Sequence, residues 1–260
     1  MGSRIVQALR VILLNGGLYL NTIVHMIVCL PVLFMPRRFL WRAVDSWVSV
    51  NHWLLWTICG IDFDIRGVER LPTGPLLVAV KHQSTWETYS LLYLFSDPAY
   101  VLKRELMWLP IFGWYCIKAR MIPVRRGARA AALAEMTERA KKEIANGRQI
   151  AIFPEGTRRA PDAEPNYKYG VAHLYGELAV PCVPIALNSG LYWPRRSWRI
   201  RPGTIRVEIL KPIPPGLHPD AFLIALQNQI EPATARLVSQ GRSDIEAYDR
   251  QVAFRSTPGS

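Results

Sequence analysis

Residues 76–95 read LLVAVKHQSTWETYSLLYLF. The apolar run from Leu76 to Val80 stops abruptly at Lys81-His82, and a second apolar-periodic run follows shortly after. A buried strand feeding a loop and then a helix has this texture. In an open α/β sheet, ligands sit at the carboxyl ends of strands, so His82 stands where chemistry is expected. Imidazole takes a proton near neutral pH, and the carboxylate of Glu87 can fix its tautomer and steady its cation. Ser84-x-x-Glu87 is equally a capping box, in which the carboxylate only closes the first helical turn. On these residues alone, both readings stand.

Upstream lies a different texture. Residues 11–35, VILLNGGLYLNTIVHMIVCLPVLFM, contain no Asp, Glu, Lys or Arg. As a helix they would extend roughly 37 Å, enough to cross a bilayer's hydrocarbon core. Asn15, Gly16, Gly17, Asn21, Thr22 and His25 dilute the run, and no small-residue cleavage pattern follows it. Arg4 and Arg10 precede it and Arg37, Arg38 and Arg42 follow, so flanking charge sets no orientation. That balance suits a segment dipping into one leaflet as well as a full span. Phe39 to Ile61 mixes Trp41, Trp47, Trp53 and Trp56 with Arg42, Asp45, Asn51 and His52. Such a helix is amphipathic, and Trp rings favour the membrane interface. Residues 1–60 are therefore expected to form a membrane-associated helical hairpin, against the alternative of a helical pair packed on the protein's own core.

After Gly60 an α/β domain is expected over 61–254, with a disordered tail at 255–260. Phe63–Arg66 alternates like an edge strand, and Leu71-Pro-Thr-Gly-Pro75 is a turn. Strands are expected at Ala99–Leu102, Met121–Val124, Gln149–Phe153, Pro181–Leu187 and Thr204–Leu210. Helices are expected near 128–146, 168–179 and 219–240, with short ones within 105–119. The alternation argues an α/β fold with a mostly parallel central sheet flanked by helices. The strand at Gln149 runs into Pro154-Glu155-Gly156-Thr157-Arg158-Arg159, whose plainest reading is a type I turn with Pro at i+1 and Gly at i+3.

Composition narrows the partners. Thirty-two Lys+Arg against 20 Asp+Glu give a net charge of +12, which suits nucleic acid, anionic lipid or a phosphorylated substrate. Cys29, Cys59, Cys116 and Cys182 form no CxxC and have no His at ligand spacing, so they read as buried free thiols, with no metal site.

KHQSTWE (81–87) followed by FPEGTR (153–158) resembles the glycerolipid acyltransferase family, typified by 1-acyl-sn-glycerol-3-phosphate acyltransferase. That family carries a His-x4-Asp motif and a downstream FPEGTR-type motif in this order. Residues 103–126, KRELMWLPIFGWYCIKARMIPVRR, look like its second motif, and Val183-Pro184-Ile185-Ala186 is similar to the fourth. The resemblance covers residues 70–190. Two positions depart from the pattern: Glu87 stands where the family usually has Asp, and Arg125 where it often has Asp.

The resemblance implies direct acyl transfer from a thioester, acyl-CoA or acyl-carrier protein, to the sn-2 hydroxyl of lysophosphatidic acid, giving phosphatidic acid. His82 would be the general base and Glu87 its orienting acid, by the logic of the acid in a Ser-His-Asp triad. The acceptor hydroxyl is the nucleophile, so neither Ser84 nor Cys182 is nominated, and no cofactor is needed. Arg158, then Lys103 and Arg126, are the candidate phosphate ligands, because cations are needed at fixed positions and guanidinium pairs bidentately with phosphate. Glu155, Gly156 and Thr157 would shape the acceptor pocket, with Glu155 accepting from a glycerol hydroxyl. Arg159 and the cluster Arg195, Arg196, Arg199 and Arg201 read as solvated charge or anionic-lipid contacts. His25, His52, His173 and His218 read as structural. A two-chain product leaves the membrane reluctantly, at roughly 0.8 kcal/mol per buried CH₂, which implies an active site near the bilayer surface; the cytoplasmic face of the inner or plasma membrane is the expected location. The rivals are the same fold acylating glycerol 3-phosphate, a lyso-ornithine lipid or another lysophospholipid, a thioesterase, and a non-enzymatic basic module. Nucleic acid is not expected as a partner.

Overall fold

A computed structural model describes residues 2–125, 129–197 and 200–256. Seven strands form one sheet: β1 (Ile61–Arg66), β2 (Leu76–Val80), β3 (Ala99–Lys103), β4 (Ile122–Val124), β5 (Gln149–Ile152), β6 (Cys182–Leu187) and β7 (Gly203–Ile209). Their order is β1-β7-β6-β2-β5-β3-β4. Every pairing is parallel except that of β6 with β7. The sequence expectation of a mostly parallel sheet holds, with β1 at an edge.

LLVAV explains why β2 is central. Leu76, Val78 and Val80 enter one apolar cluster and Leu77 and Ala79 the other, all at 0–1% exposure. A strand covered on both faces needs apolar side chains on both, which parallel sheets between helical layers demand. One layer is α5 (Arg129–Ala145), α6 (Tyr169–Leu178) and α8 (Pro219–Ser256), contributing Met136, Val171, Leu174, Phe222 and Ile230. The opposite layer includes α2 (Arg37–Leu54), α3 (Trp86–Ser90) and α7 (Ser189–Tyr192), with Val48, Trp86, Tyr89 and Tyr192. A short helix, α4 (Phe112–Lys118), follows β3.

The expected hairpin forms between α1 (Gly2–Val28) and α2. The polar residues that dilute the apolar run make its seam. Asn21 Nδ2 donates to the Trp47 carbonyl at 3.1 Å and to Asn51 Oδ1 at 2.7 Å, and Trp47 Nε1 donates to Thr22 Oγ1 at 3.0 Å. Within apolar surroundings such groups must find partners, and interhelix pairing supplies them. The two helices then diverge in role. Helix α1 leaves Ile12, Leu13, Leu20, Ile23 and Ile27 exposed. Its stretch Ile5–Val28 is long and apolar enough to cross a membrane, and only 17% of it is buried. Helix α2 instead joins the apolar cluster on one face of the sheet through Val48, and its Leu40 is buried as well. Trp53 and Trp56 are exposed, whereas Trp41 and Trp47 turn inward because each indole N–H has a partner there, Asp97 and Thr22.

Helix α8 is longer than its sequence signals. It runs through Pro232 and Gly241 to Ser256, two residues into the expected tail. Residues 257–260 of that tail lie outside the described residues. Gly241 is required by packing: a Cβ there would stand 2.7 Å from Leu191 Cδ1 and 2.9 Å from Asn188 Nδ2.

Candidate active site

Because β6, β2, β5, β3 and β4 are mutually parallel, their carboxyl ends share one edge. The adjacency of β2 and β5 brings the two motif-bearing tips together. The His82 ring stacks on Phe153 at a centroid distance of 4.0 Å. The backbone agrees: Arg159 N–H donates to the His82 carbonyl at 2.9 Å.

Glu87 fills both roles its sequence allowed. Its Oε1 accepts from the backbone N–H groups of Gln83 and Ser84, each at 2.6 Å, and from His82 Nδ1 at 3.0 Å. The carboxylate therefore closes the helical turn and fixes the imidazole at once. Its other oxygen accepts from Ser189 Oγ at 2.8 Å, a contact from the start of α7 that no motif signals. With Nδ1 donating to the carboxylate, Nε2 carries the lone pair. His82 is 12% exposed at its side chain and lines a cavity. The extra methylene of glutamate, relative to the family's aspartate, is accommodated without loss of the contact.

That cavity holds about 1060 Å³ and is predominantly apolar. It extends from Thr22, Met26 and Trp47 on the hairpin past His82 to Leu133 and Met136 on α5. Lys103, Arg125, Arg158 and Arg195 also line it. Lys103 is half exposed, with Nζ 3.5 Å from Glu105 Oε1. Arg126 lies outside the described residues, as does Arg199. Phe153–Gly156 is the expected turn, closed by Gly156 N–H donating to the Phe153 carbonyl at 2.9 Å. Gly156 has φ +63, a backbone conformation that suits glycine. Gly156, Thr157 and Arg158 line the cavity. Arg158 Nη1 donates to Thr85 Oγ1, and burial, followed by the nearby Arg195 charge, pulls its pKa below the ordinary guanidinium value.

Glu155 requires a correction. It was expected to face the acceptor, yet its side chain is fully buried and absent from the cavity wall. Its Oε1 accepts from Lys81 Nζ at 2.9 Å, and its Oε2 from the His82 N–H at 3.3 Å. The reason is Lys81, which is itself 1% exposed. A buried ammonium demands counter-charge, and Glu155 turns inward to give it. Glu231 of α8 completes the set, accepting from Lys81 Nζ at 2.9 and 3.1 Å, while Tyr167 donates its hydroxyl to the same carboxylate at 2.7 Å.

The other sequence candidates separate cleanly. His25 meets Ser46 and the Asn21 carbonyl, and His52 meets Ser90 Oγ at 2.7 Å. Burial lowers the His52 pKa to about 4, so it stays neutral. Cys182 is fully buried, and that burial raises its thiol pKa far above the usual range. Among the described residues no group of three His, Cys, Asp or Glu side chains is placed to hold a metal ion.

A family model described as Acyltransferase matches residues 62–188. The chain is 33% identical to a 1-acyl-sn-glycerol-3-phosphate acyltransferase of Pseudomonas aeruginosa, over 84% of each chain. It is 31% identical to the 1-acyl-sn-glycerol-3-phosphate acyltransferase alpha of Mus musculus, over 62% of this chain and 58% of that protein. The crystal structure of the 1-acyl-sn-glycerophosphate (LPA) acyltransferase PlsC from Thermotoga maritima superposes with a TM-score of 0.60 over 92% of this chain and 99% of that one. At 22% identity that likeness bears on the fold. With its motifs gathered at one sheet edge and a bacterial relative matched over most of both lengths, the chain belongs to the glycerolipid acyltransferase family and is an O-acyltransferase.

Proposed function

We propose that the protein transfers a fatty acyl group from a thioester donor to the sn-2 hydroxyl of lysophosphatidic acid, forming phosphatidic acid. The observation that carries this reading is His82 Nδ1 held 3.0 Å from Glu87 Oε1 on the wall of a mainly apolar cavity with a guanidinium nearby. Nε2 accepts the proton of the acceptor hydroxyl as its oxygen attacks the thioester carbonyl. The C–S bond then breaks, and the thiolate leaves with the proton passed on by the imidazolium. Glu87 holds the ring in the tautomer that keeps Nε2 basic and stabilises the imidazolium. Arg158, with Lys103 and Arg126, grips the acceptor phosphate, and Gly156 and Thr157 shape that end of the pocket. The apolar remainder takes the acyl chain. Glu155 acts indirectly, by setting the His82 backbone.

The relatives named as acylating 1-acyl-sn-glycerol 3-phosphate favour this acceptor over the alternatives. The apolar outer face of α1 and the charge of +12 support seating on an anionic membrane at its cytoplasmic face. The test is acylation by the purified chain in detergent micelles, with labelled acyl-CoA and acyl-carrier protein offered separately against a panel of acceptors. Labelled phosphatidic acid is the expected product, and its formation must cease in His82→Ala. Transfer to another acceptor with none to lysophosphatidic acid would overturn the assignment.

A further inference from the structure

Two guanidinium groups meet at the cavity, and only one belongs to the family's motifs. Arg195 Nη1 donates to Thr157 Oγ1 at 3.1 Å and to the Arg158 carbonyl at 3.2 Å. Arg195 is exposed, as expected of a surface charge, yet it lies over the turn after β5 and lines the same cavity as His82. It lies beyond the matched stretch 62–188, in the loop after α7.

We propose that Arg195 and Arg158 together clamp a phosphate monoester dianion, making Arg195 a determinant of acceptor selectivity against phosphodiesters. This rests on the acceptor reading above and names what enforces it.

The argument is one of unmatched charge. Several other guanidinium groups of the described residues are met by carboxylates: Arg37 by Asp97, Arg148 by Glu143, Arg206 by Asp244, Arg236 by Glu208 and Arg242 by Asp162. Arg158 and Arg195 form no salt bridge among the described residues, although the Glu87 carboxylate is near enough to favour the Arg158 cation. Arg158 is bonded to a neutral hydroxyl, and Arg195 to a hydroxyl and a carbonyl. Like charges held side by side raise each other's energy, and the depressed pKa of Arg158 has Arg195 among its causes. An anion between them removes that penalty. Each guanidinium has five donors and spends few of them on protein, which leaves forks for bidentate phosphate contact.

The number of charges selects the ligand. A monoester carries about −1.5 to −2 at neutral pH and so gains more than a monoanion from a further guanidinium beside Arg158. A phosphodiester carries one charge, and its second ester substituent takes an oxygen from the clamp.

The test measures binding without turnover. Purified wild type, Arg195→Gln and Arg195→Lys are titrated calorimetrically in detergent micelles with 2-deoxy-lysophosphatidic acid and with its phosphate methyl ester. Arg139→Gln, an exposed position on α5 paired with Glu135, is the control and should bind as wild type. Arg195→Gln should weaken the monoester by roughly ten- to a hundredfold, the size of a lost charge-assisted hydrogen bond. It should weaken the diester by less than about threefold, because a single charge needs one partner. Arg195→Lys should fall between, keeping charge without the fork. Equal weakening of both ligands, or of neither, overturns the clamp. Intact monoester preference without acyl transfer to lysophosphatidic acid would overturn the acceptor reading and leave the clamp standing.

Discussion

The two ends of strand β5 each carry an arginine, and the pair could hardly differ more. Arg148, just before the strand, is 1% exposed. Its guanidinium donates to Glu143 Oε2 at 2.6 Å and to the carbonyls of Asp97, Pro98 and Ala119 at 2.8–3.0 Å. Arg158, just after the strand, touches the Thr85 hydroxyl, leans on Arg195 and faces a cavity. At the amino edge every donor is spoken for, so the cation acts as a staple between α5, the β3 approach and α4. At the carboxyl edge the donors are left over. Spare guanidinium donors on a cavity wall suit an anionic ligand.

If that contrast is sound, substitutions at the carboxyl edge should cost activity and those at the amino edge should cost stability. The largest effect is expected for His82→Ala, which should lower kcat by about 10²–10⁴-fold. Its melting temperature in micelles should stay near that of wild type. A large drop in melting temperature would break the contrast from one side. Arg148→Met should break nothing chemical yet cost about 3–5 kcal/mol, because Glu143 is left charged and buried without its partner. Chemical denaturation gives the loss, and kcat of the folded fraction should match wild type.

Lys81, Glu155 and Glu231 sharpen the comparison because they belong to both classes. Their charges are spent on one another, yet Glu155 also holds the His82 backbone. Glu231→Gln keeps the shape and removes one of two counter-charges. It should cost about 1–3 kcal/mol, the value of a charged hydrogen bond, and lower kcat several-fold with the acceptor KM little changed. A pure KM effect would put Glu231 in substrate binding instead. The smallest effect belongs to Cys182→Ala. Acylation should persist within about twofold, since the thiol is sealed in β6 and its burial disfavours the thiolate that nucleophilic attack requires. Loss of transfer with a folded protein would reopen covalent catalysis.

What the sequence reveals follows how local the physics is. LLVAV announces a strand buried on both faces, and its sudden end at Lys81-His82 announces a strand tip. Glu87 was legible because a helical turn brings it back to the same loop. The turn at Phe153–Gly156 was legible from Pro and Gly alone, and its pairing with His82 needed only β2 beside β5. Glu155 was misread because its direction depends on Lys81, and the need of Lys81 for a partner is invisible until burial is known. Glu231 and Ser189 gave no signal at all: they reach the site across 150 and 102 residues respectively. Arg195 sat among several arginines, and nothing in their spacing says which one reaches the cavity. Helix α8 outran its pattern because contacts with α7 at Gly241 and with the sheet outweigh the propensity of Pro232 and Gly241 to end it.

Glu231 also sets a lower bound on what counts as a working unit. The stretch that carries every family motif ends at residue 188, before Ser189, Arg195 and Glu231. A fragment cut there would retain the whole recognisable signature and lose the props behind it: an ammonium short of one counter-ion, a carboxylate short of one hydroxyl. Motif possession and catalytic competence are thus separable in this chain, and any truncation, fusion or graft that borrows the signature must bring α8 with it.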